Sequence, residues 1–324
     1  MSGISGAYHK RIVASCLIAA IVLLIAATSS VSATNRHVYV GIPPQAYVVE
    51  RIAGDSVTVE VLLSPGQSPH TYEPTPKQIA RLAEADLYFA IGLPFEHLLL
   101  AKFNSTFASL HVVNSNVGIP LREMDAHHHH DEAVDASHHG YADGASHHEG
   151  DRDPHFWMSP RLMKTMAATI ADSLAAHYPE LNDYLRPRLT TLDAELDSVD
   201  AAIGETLAPY RGRGIYVFHP AFGYFTDAYG LRQIPVEVEG KEPSIRQMTD
   251  MLSEAEHDHV RALFAQPEFV ANEVRAMAHE MGAEIVILDP LAQDYSANLL
   301  KIAQHVADAL KPNDEAGETG GRPE

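Results

Sequence analysis

Residues 179–207, PELNDYLRPRLTTLDAELDSVDAAIGETL, place Leu181, Leu185, Leu189, Leu192, Leu196 and Val199 at intervals of three or four residues. That spacing puts all six on one stripe of an α-helix whose remaining surface is polar. A single long helix of this kind, set between two other regions, predicts a spine joining two lobes. Pro187 falls inside the pattern, so the helix is expected to begin or to bend there.

On either side of this helix, short β-branched runs alternate with helical stretches. Upstream, strands are expected at His37 to Ile42, Val57 to Leu63, Leu87 to Ile91 and His111 to Asn114. Helices are expected over Ala46 to Ile52, from Thr75-Pro76 to about Asp86, and from Ser159-Pro160 to Ala176. Downstream, strands at Gly214 to Phe218, Arg232 to Val238, Val260 to Ala265 and Glu284 to Leu288 alternate with helices at Ala221 to Tyr229, up to His257, Asn272 to Met281 and Tyr295 to Leu310. Strictly alternating strands and helices predict parallel sheets covered on both faces. The expected fold is therefore α/β: two lobes with parallel sheets flanked by helices, joined by a long rigid α-helix. The expected boundaries are 34–178 for the N-terminal lobe, 179–210 for the linker helix, 211–311 for the C-terminal lobe and 312–324 for a polar tail.

Residues 1–33 read as a signal peptide. Lys10 and Arg11 precede an apolar run from Ile12 to Ala27, and Val31-Ser32-Ala33 supplies small residues at −3 and −1 of a cleavage site. The expected location is the periplasm; an uncleaved anchor and a lipid anchor at Cys16 rank below it. Cys16 is the sole cysteine, so the exported chain can form no disulfide. With 23 basic and 43 acidic residues the chain carries a formal net charge of −20. Such a charge argues against nucleic acid and anionic membranes as partners and favours cations. A monomer is expected.

Between the two lobes' first elements lies a segment of different character. His127, His128, His129, His130, His138, His139, His147 and His148 stand among Asp, Glu, Gly and Ser with almost nothing apolar to bury. Residues 126–150 are therefore expected to form a disordered loop. Its clustered imidazoles would make auxiliary, weak metal sites.

Outside that loop, His70 follows the strand ending at Leu63, His219 follows the strand ending at Phe218, and Asp289 follows the strand ending at Leu288, while His155 precedes a helix. Ligands of open α/β sheets bind beyond the carboxyl ends of the strands. Two lobes facing each other would bring these four side chains together in the interlobe cleft. Three imidazoles and one carboxylate make a closed tetrahedral shell of the kind zinc takes without catalysis.

The segments Pro69-His70-Thr71-Tyr72-Glu73-Pro74-Thr75-Pro76, Asp153-Pro154-His155-Phe156-Trp157-Met158-Ser159-Pro160, Phe218-His219-Pro220-Ala221-Phe222-Gly223-Tyr224-Phe225, Glu239-Gly240-Lys241-Glu242-Pro243-Ser244 and Leu288-Asp289-Pro290-Leu291 resemble those of the zinc-binding (ZnuA-like) solute-binding proteins of bacterial ABC importers. The resemblance covers nearly all of the chain after the leader, and the His-rich insertion falls where zinc members often carry one. It implies His70, His155 and His219 as metal ligands with Asp289 as the fourth, Zn2+ as the ion, and delivery to a membrane permease. Pro69 stands where some members have a glutamate ligand. Manganese members have a carboxylate where His219 stands, so three imidazoles favour zinc.

Three other readings stay open on the residues: a secreted zinc-dependent hydrolase, a manganese-binding relative and a zinc buffer with no transporter. No HExxH motif or nucleophile elbow supports catalysis. Proton competition is expected below about pH 6, because free histidine titrates near 6.5.

Overall fold

The structure is a computed structural model, and it describes residues 36–97, 99–100, 107, 109–125, 152–237, 244–269 and 272–312. The expected signal peptide, Cys16, all eight histidines of the insertion, Glu239 to Pro243 and the end of the tail lie outside the described residues. Among the described residues, no helix is long and apolar enough to cross a membrane.

Two four-stranded parallel sheets form the frame. The first contains β1 (His37–Val40), β2 (Thr58–Val61), β3 (Leu87–Ala90) and β4 (His111–Asn114), in spatial order β2-β1-β3-β4. The second contains β5 (Gly214–Val217), β6 (Arg232–Pro235), β7 (Ala262–Ala265) and β8 (Glu284–Ile287), ordered β6-β5-β7-β8. The two lobes thus repeat one topology, and in each the chain reverses direction across the sheet after its second strand. That reversal opens a crevice at the carboxyl ends of the central strands.

Six of the strands end one to three residues before their expected carboxyl ends, while β4 and β7 end at Asn114 and Ala265 as expected. Helix α1 (Pro43–Ala53) begins at the prolines themselves, which occupy its first turn, where a missing N–H leaves no bond unmade. Helix α2 (Pro76–Leu82) starts where expected but stops before Asp86, and it is capped by Thr75, whose Oγ1 accepts from Gln78 N at 3.3 Å while Gln78 Oε1 accepts from Thr75 N at 3.0 Å.

Helix α3 (Pro160–His177) leads through a 3₁₀ turn at Pro179–Leu181 into α4 (Asn182–Leu207). Pro187 sits inside α4. The apolar stripe is buried at Leu185, Leu192, Leu196, Val199, Ile203 and Leu207. The helix packs on α1 of the first lobe and on α8 (Tyr295–Leu310) of the second. Glu195 ties the three together, accepting from Tyr47 and Arg51 of α1 and, at 2.7 Å, from Ser296 Oγ of α8.

Alternation along the second sheet divides its core. Ile215, Val217 and Phe264 join the continuous core shared with the first lobe, whereas Tyr216, Leu263 and Ala265 face α6 (Ile245–His257) and α7 (Asn272–Glu280). Ser244 caps α6 through a 3.3 Å bond from Gln247 N. Helix α5 (Gly223–Tyr229) ends at Gly230, whose φ of 73° is the left-handed conformation that glycine takes without penalty.

Candidate metal site

His70, His155 and His219 converge. Each offers a ligand atom, and the three atoms lie within 4.8 Å of one another. His70 Nε2 and His219 Nε2 are 3.1 Å apart. The cavity between them is about 10 Å³ and is also lined by Trp157, Gln266, Glu268 and Phe269. That is the space of one water-sized sphere.

Three local devices deliver the three rings. His70 sits in a loop closed by Gln67 N to Ser64 O at 3.2 Å and Thr71 N to Ser68 O at 3.3 Å, and anchored where Tyr72 donates its hydroxyl to Leu62 O at 2.7 Å. His155 precedes a 3₁₀ turn at Phe156–Met158. Its segment leans on the second lobe, since Trp157 Nε1 donates to Pro290 O at 2.9 Å and Tyr295 donates to Trp157 O at 2.6 Å. His219 leaves the end of β5 with its carbonyl accepting from Gln266 Nε2 at 3.0 Å and its ring stacked on Phe269.

Two of the rings are oriented by carboxylates. His155 Nδ1 lies 2.8 Å from Asp153 Oδ1, and His219 Nδ1 lies 3.2 Å from Glu237 Oε2. A neutral imidazole that donates from Nδ1 keeps the Nε2 lone pair for a cation. Both rings are buried, at 3% and 6% exposure, whereas His70 stands at the exposed rim.

The surroundings favour the neutral form at His70 and His219. Desolvation first, then the facing His219 and His155, lowers the pKa of His70 to about 4. Burial also lowers that of His219, against the opposing pull of Glu237. Neutral imidazoles are the form that binds metal, and three nitrogen donors suit zinc better than the harder manganese ion.

Asp289 is not brought into this group. Its Oδ1 accepts from Leu291 N at 2.8 Å, and burial raises its pKa. Glu268, whose pKa burial likewise raises, is the acidic side chain that lines the cavity. Glu73 is exposed. Phe156 and Trp157 are fully buried, and Trp157 forms part of the cavity wall.

Asp153, Glu237, Gln266 and Glu268 were missed from the sequence. Only Asp153 had a readable signal: an Asp two residues before a His is placed for an Asx-type turn, and Asp153 Oδ1 does accept from His155 N at 2.9 Å.

The family model described as ZnuA, the periplasmic component A of a zinc-uptake complex, matches residues 38–312. The high-affinity zinc uptake system protein ZnuA of Yersinia pestis is 29% identical over 268 residues, covering 79% of this chain and 83% of its own length. The protein of that name from Bacillus subtilis is 26% identical over 317 residues, covering 91% of this chain and 95% of its own length. A crystal structure of ZnuA superposes with a TM-score of 0.75 at 38% identity, covering 85% of this chain and 99% of that one. A ZnuA deletion mutant with zinc bound superposes with a TM-score of 0.75 at 37% identity, covering 85% of this chain and 98% of that one.

Proposed function

The chain belongs to the ZnuA family of periplasmic zinc-uptake components, and from that premise we propose that it captures one Zn2+ ion with His70, His155 and His219 and delivers it to the permease of an ABC importer. The observation that carries this reading is the convergence of three ligand atoms, from three separate loops, to within 4.8 Å. In this reading the ion is held tightly in the periplasm, the protein acts as a monomer, and water, or Asp289 from its place outside the three-histidine group, completes the shell.

The family's members are solute-binding proteins, and metal binding for import is the activity that membership supports. A cavity of about 10 Å³ between the three rings suits a single ion, which favours binding over hydrolysis.

Calorimetric titration with Zn2+, Mn2+ and Cu2+, repeated on His155→Ala, tests the site. One tight zinc equivalent in the wild type, lost in the variant, is expected; retention in the variant would refute the assignment. Delivery is tested by zinc-dependent stimulation of the reconstituted permease's ATPase activity, which the loaded protein should raise and the metal-free protein should not.

A further inference from the structure

We propose that Arg122 is a positioning residue for the metal site, locking the segment that carries His155 to the helix that follows His219. The inference rests on the three-histidine reading above. Arg122 lies in the loop after β4, on the first lobe's side, and its guanidinium meets three carboxylates. It bonds Asp125 at 2.8 and 3.0 Å, Asp153 Oδ2 at 3.3 Å, and Asp227 Oδ2 at 3.0 Å. Asp227 belongs to α5, in the second lobe.

The link to the site runs through Asp153. That carboxylate is fully buried, and its two oxygens are divided: Oδ2 faces Arg122, while Oδ1 accepts from His155 N at 2.9 Å and holds His155 Nδ1 at 2.8 Å. A buried carboxylate is tolerated when a cation balances it. Arg122 is the cation that does so here, and in fixing Oδ2 it sets the direction in which Oδ1 can hold the ring.

The backbone around Arg122 is locked in the same way. Asp153 N donates to Arg122 O at 2.9 Å, Arg122 N donates to Tyr224 Oη at 2.9 Å, and Tyr224 donates in turn to Asp153 O at 2.8 Å. Gln233 Nε2 donates to Asp125 Oδ2 at 2.7 Å, adding a second contact to the second lobe. The space itself is reserved, since a Cβ at Gly223 would lie 1.5 Å from Arg122 Nη1. Of the three carboxylates, Asp227 is 61% exposed and contributes little through its charge. The arm toward Asp153 is therefore the one that bears on the metal.

The test compares the intact protein with Arg122→Met and Arg122→Lys. Zn2+ affinity is read by chelator competition, coordination geometry by the visible spectrum of the Co2+-loaded protein, and stability by metal-free melting. Arg122→Met should bind Zn2+ more weakly, by up to about 10–100-fold, the range typical of losing the outer partner of a metal-bound histidine, which here is the Asp153 that Arg122 holds. Its Co2+ spectrum should change in position or intensity, and Arg122→Lys should recover part of both. Wild-type affinity and spectrum in both variants would overturn the proposal. So would weaker binding that follows melting while the Co2+ spectrum stays that of the wild type. If Arg122→Met does not fold, Arg122→Lys decides: an altered spectrum with weaker binding supports the role, and wild-type values overturn it. Failure of the wild type itself to take up Zn2+ or Co2+ would instead overturn the three-histidine reading, and this inference with it.

Discussion

His70 Nε2 and His219 Nε2 approach to 3.1 Å from opposite sheets. Two nitrogens bound to one tetrahedral zinc at ~2.0–2.1 Å sit about 3.3 Å from each other. The pair therefore has the separation that a shared ion requires. Replacing His219 with Ala should weaken zinc binding by more than about a hundredfold, beyond the loss expected for an outer partner. His219→Glu should narrow the preference for Zn2+ over Mn2+, since a carboxylate is the harder ligand. Competition titrations with both ions check this, and an unchanged Zn2+/Mn2+ ratio in His219→Glu would count against His219 as a ligand.

Proton release on binding reports the lowered pKa values. Three free histidines would together carry about two protons at pH 6. Desolvation holds His70 at about 4, so this ring has essentially no proton to give up at that pH, and burial lowers His219 in the same direction. Calorimetry in buffers of different ionisation enthalpy should count fewer protons released per zinc at pH 6 than three free histidines would give up. The full free-histidine count would contradict the geometry. The loss of affinity that free histidine predicts below about pH 6 moves correspondingly lower for these two.

The same shifts act on the metal-free fold. The unfolded chain takes up protons near the free value of about 6.5, whereas folded His70 resists until about 4. Stability is thus present above about 6.5 and falls as the pH drops through that interval. Melting temperatures of the metal-free protein should decline from pH 7 to 5, and His70→Gln should decline less steeply. Equal slopes would show that His70 does not contribute.

Glu237 orients His219 without itself lining the cavity, being 11% exposed and 3.2 Å from Nδ1. Glu237→Ala should cost about 10–100-fold in zinc affinity while leaving one equivalent bound. A change in stoichiometry would indicate a different role.

Leu196 lies at the centre of the spine stripe and is fully buried. Leu196→Ala should destabilise the fold by about 2–5 kcal/mol, the range for emptying a packed core position. Denaturant unfolding of the metal-free protein measures it, and a loss under about 1 kcal/mol would mean that the stripe is not packed as described.

Removal of residues 126–150 should leave the tight zinc equivalent in place and abolish any weaker ones. The flanks support this, because Glu123 and Arg152 are already paired by an antiparallel bridge and Asp153 N bonds Arg122 O at 2.9 Å. Titration of the shortened protein decides, and loss of the tight site would contradict it.

Much of the architecture could be read from residue order, because parallel α/β lobes announce themselves through alternation. His111–Asn114 and Tyr295–Leu310 fall where expected, and the apolar stripe from Leu185 to Val199 is buried as its spacing requires except at Leu189, which is half-buried. Element ends were less legible. The helix expected from Ala46 opens already at Pro43, since proline can end one element or begin the next and only the following turn decides. At the site, His70, His155 and His219 were visible as histidines at chain turns after or before regular elements. Their orienting groups were not. Glu237 and Gln266 reach His219 from neighbouring strands or strand ends, 18 and 47 residues away, and such pairings are set by sheet order. Arg122 was invisible for a related reason: its partners Asp153 and Asp227 are remote in sequence and meet only because two lobes close on one loop.

X-ray absorption at the zinc edge, on protein loaded with one equivalent, tests the central claim most directly. Three imidazole nitrogens at about 2.0–2.1 Å, falling to two in His70→Ala, is the predicted result. A first shell with fewer than three imidazoles, or one unchanged by that substitution, would contradict it.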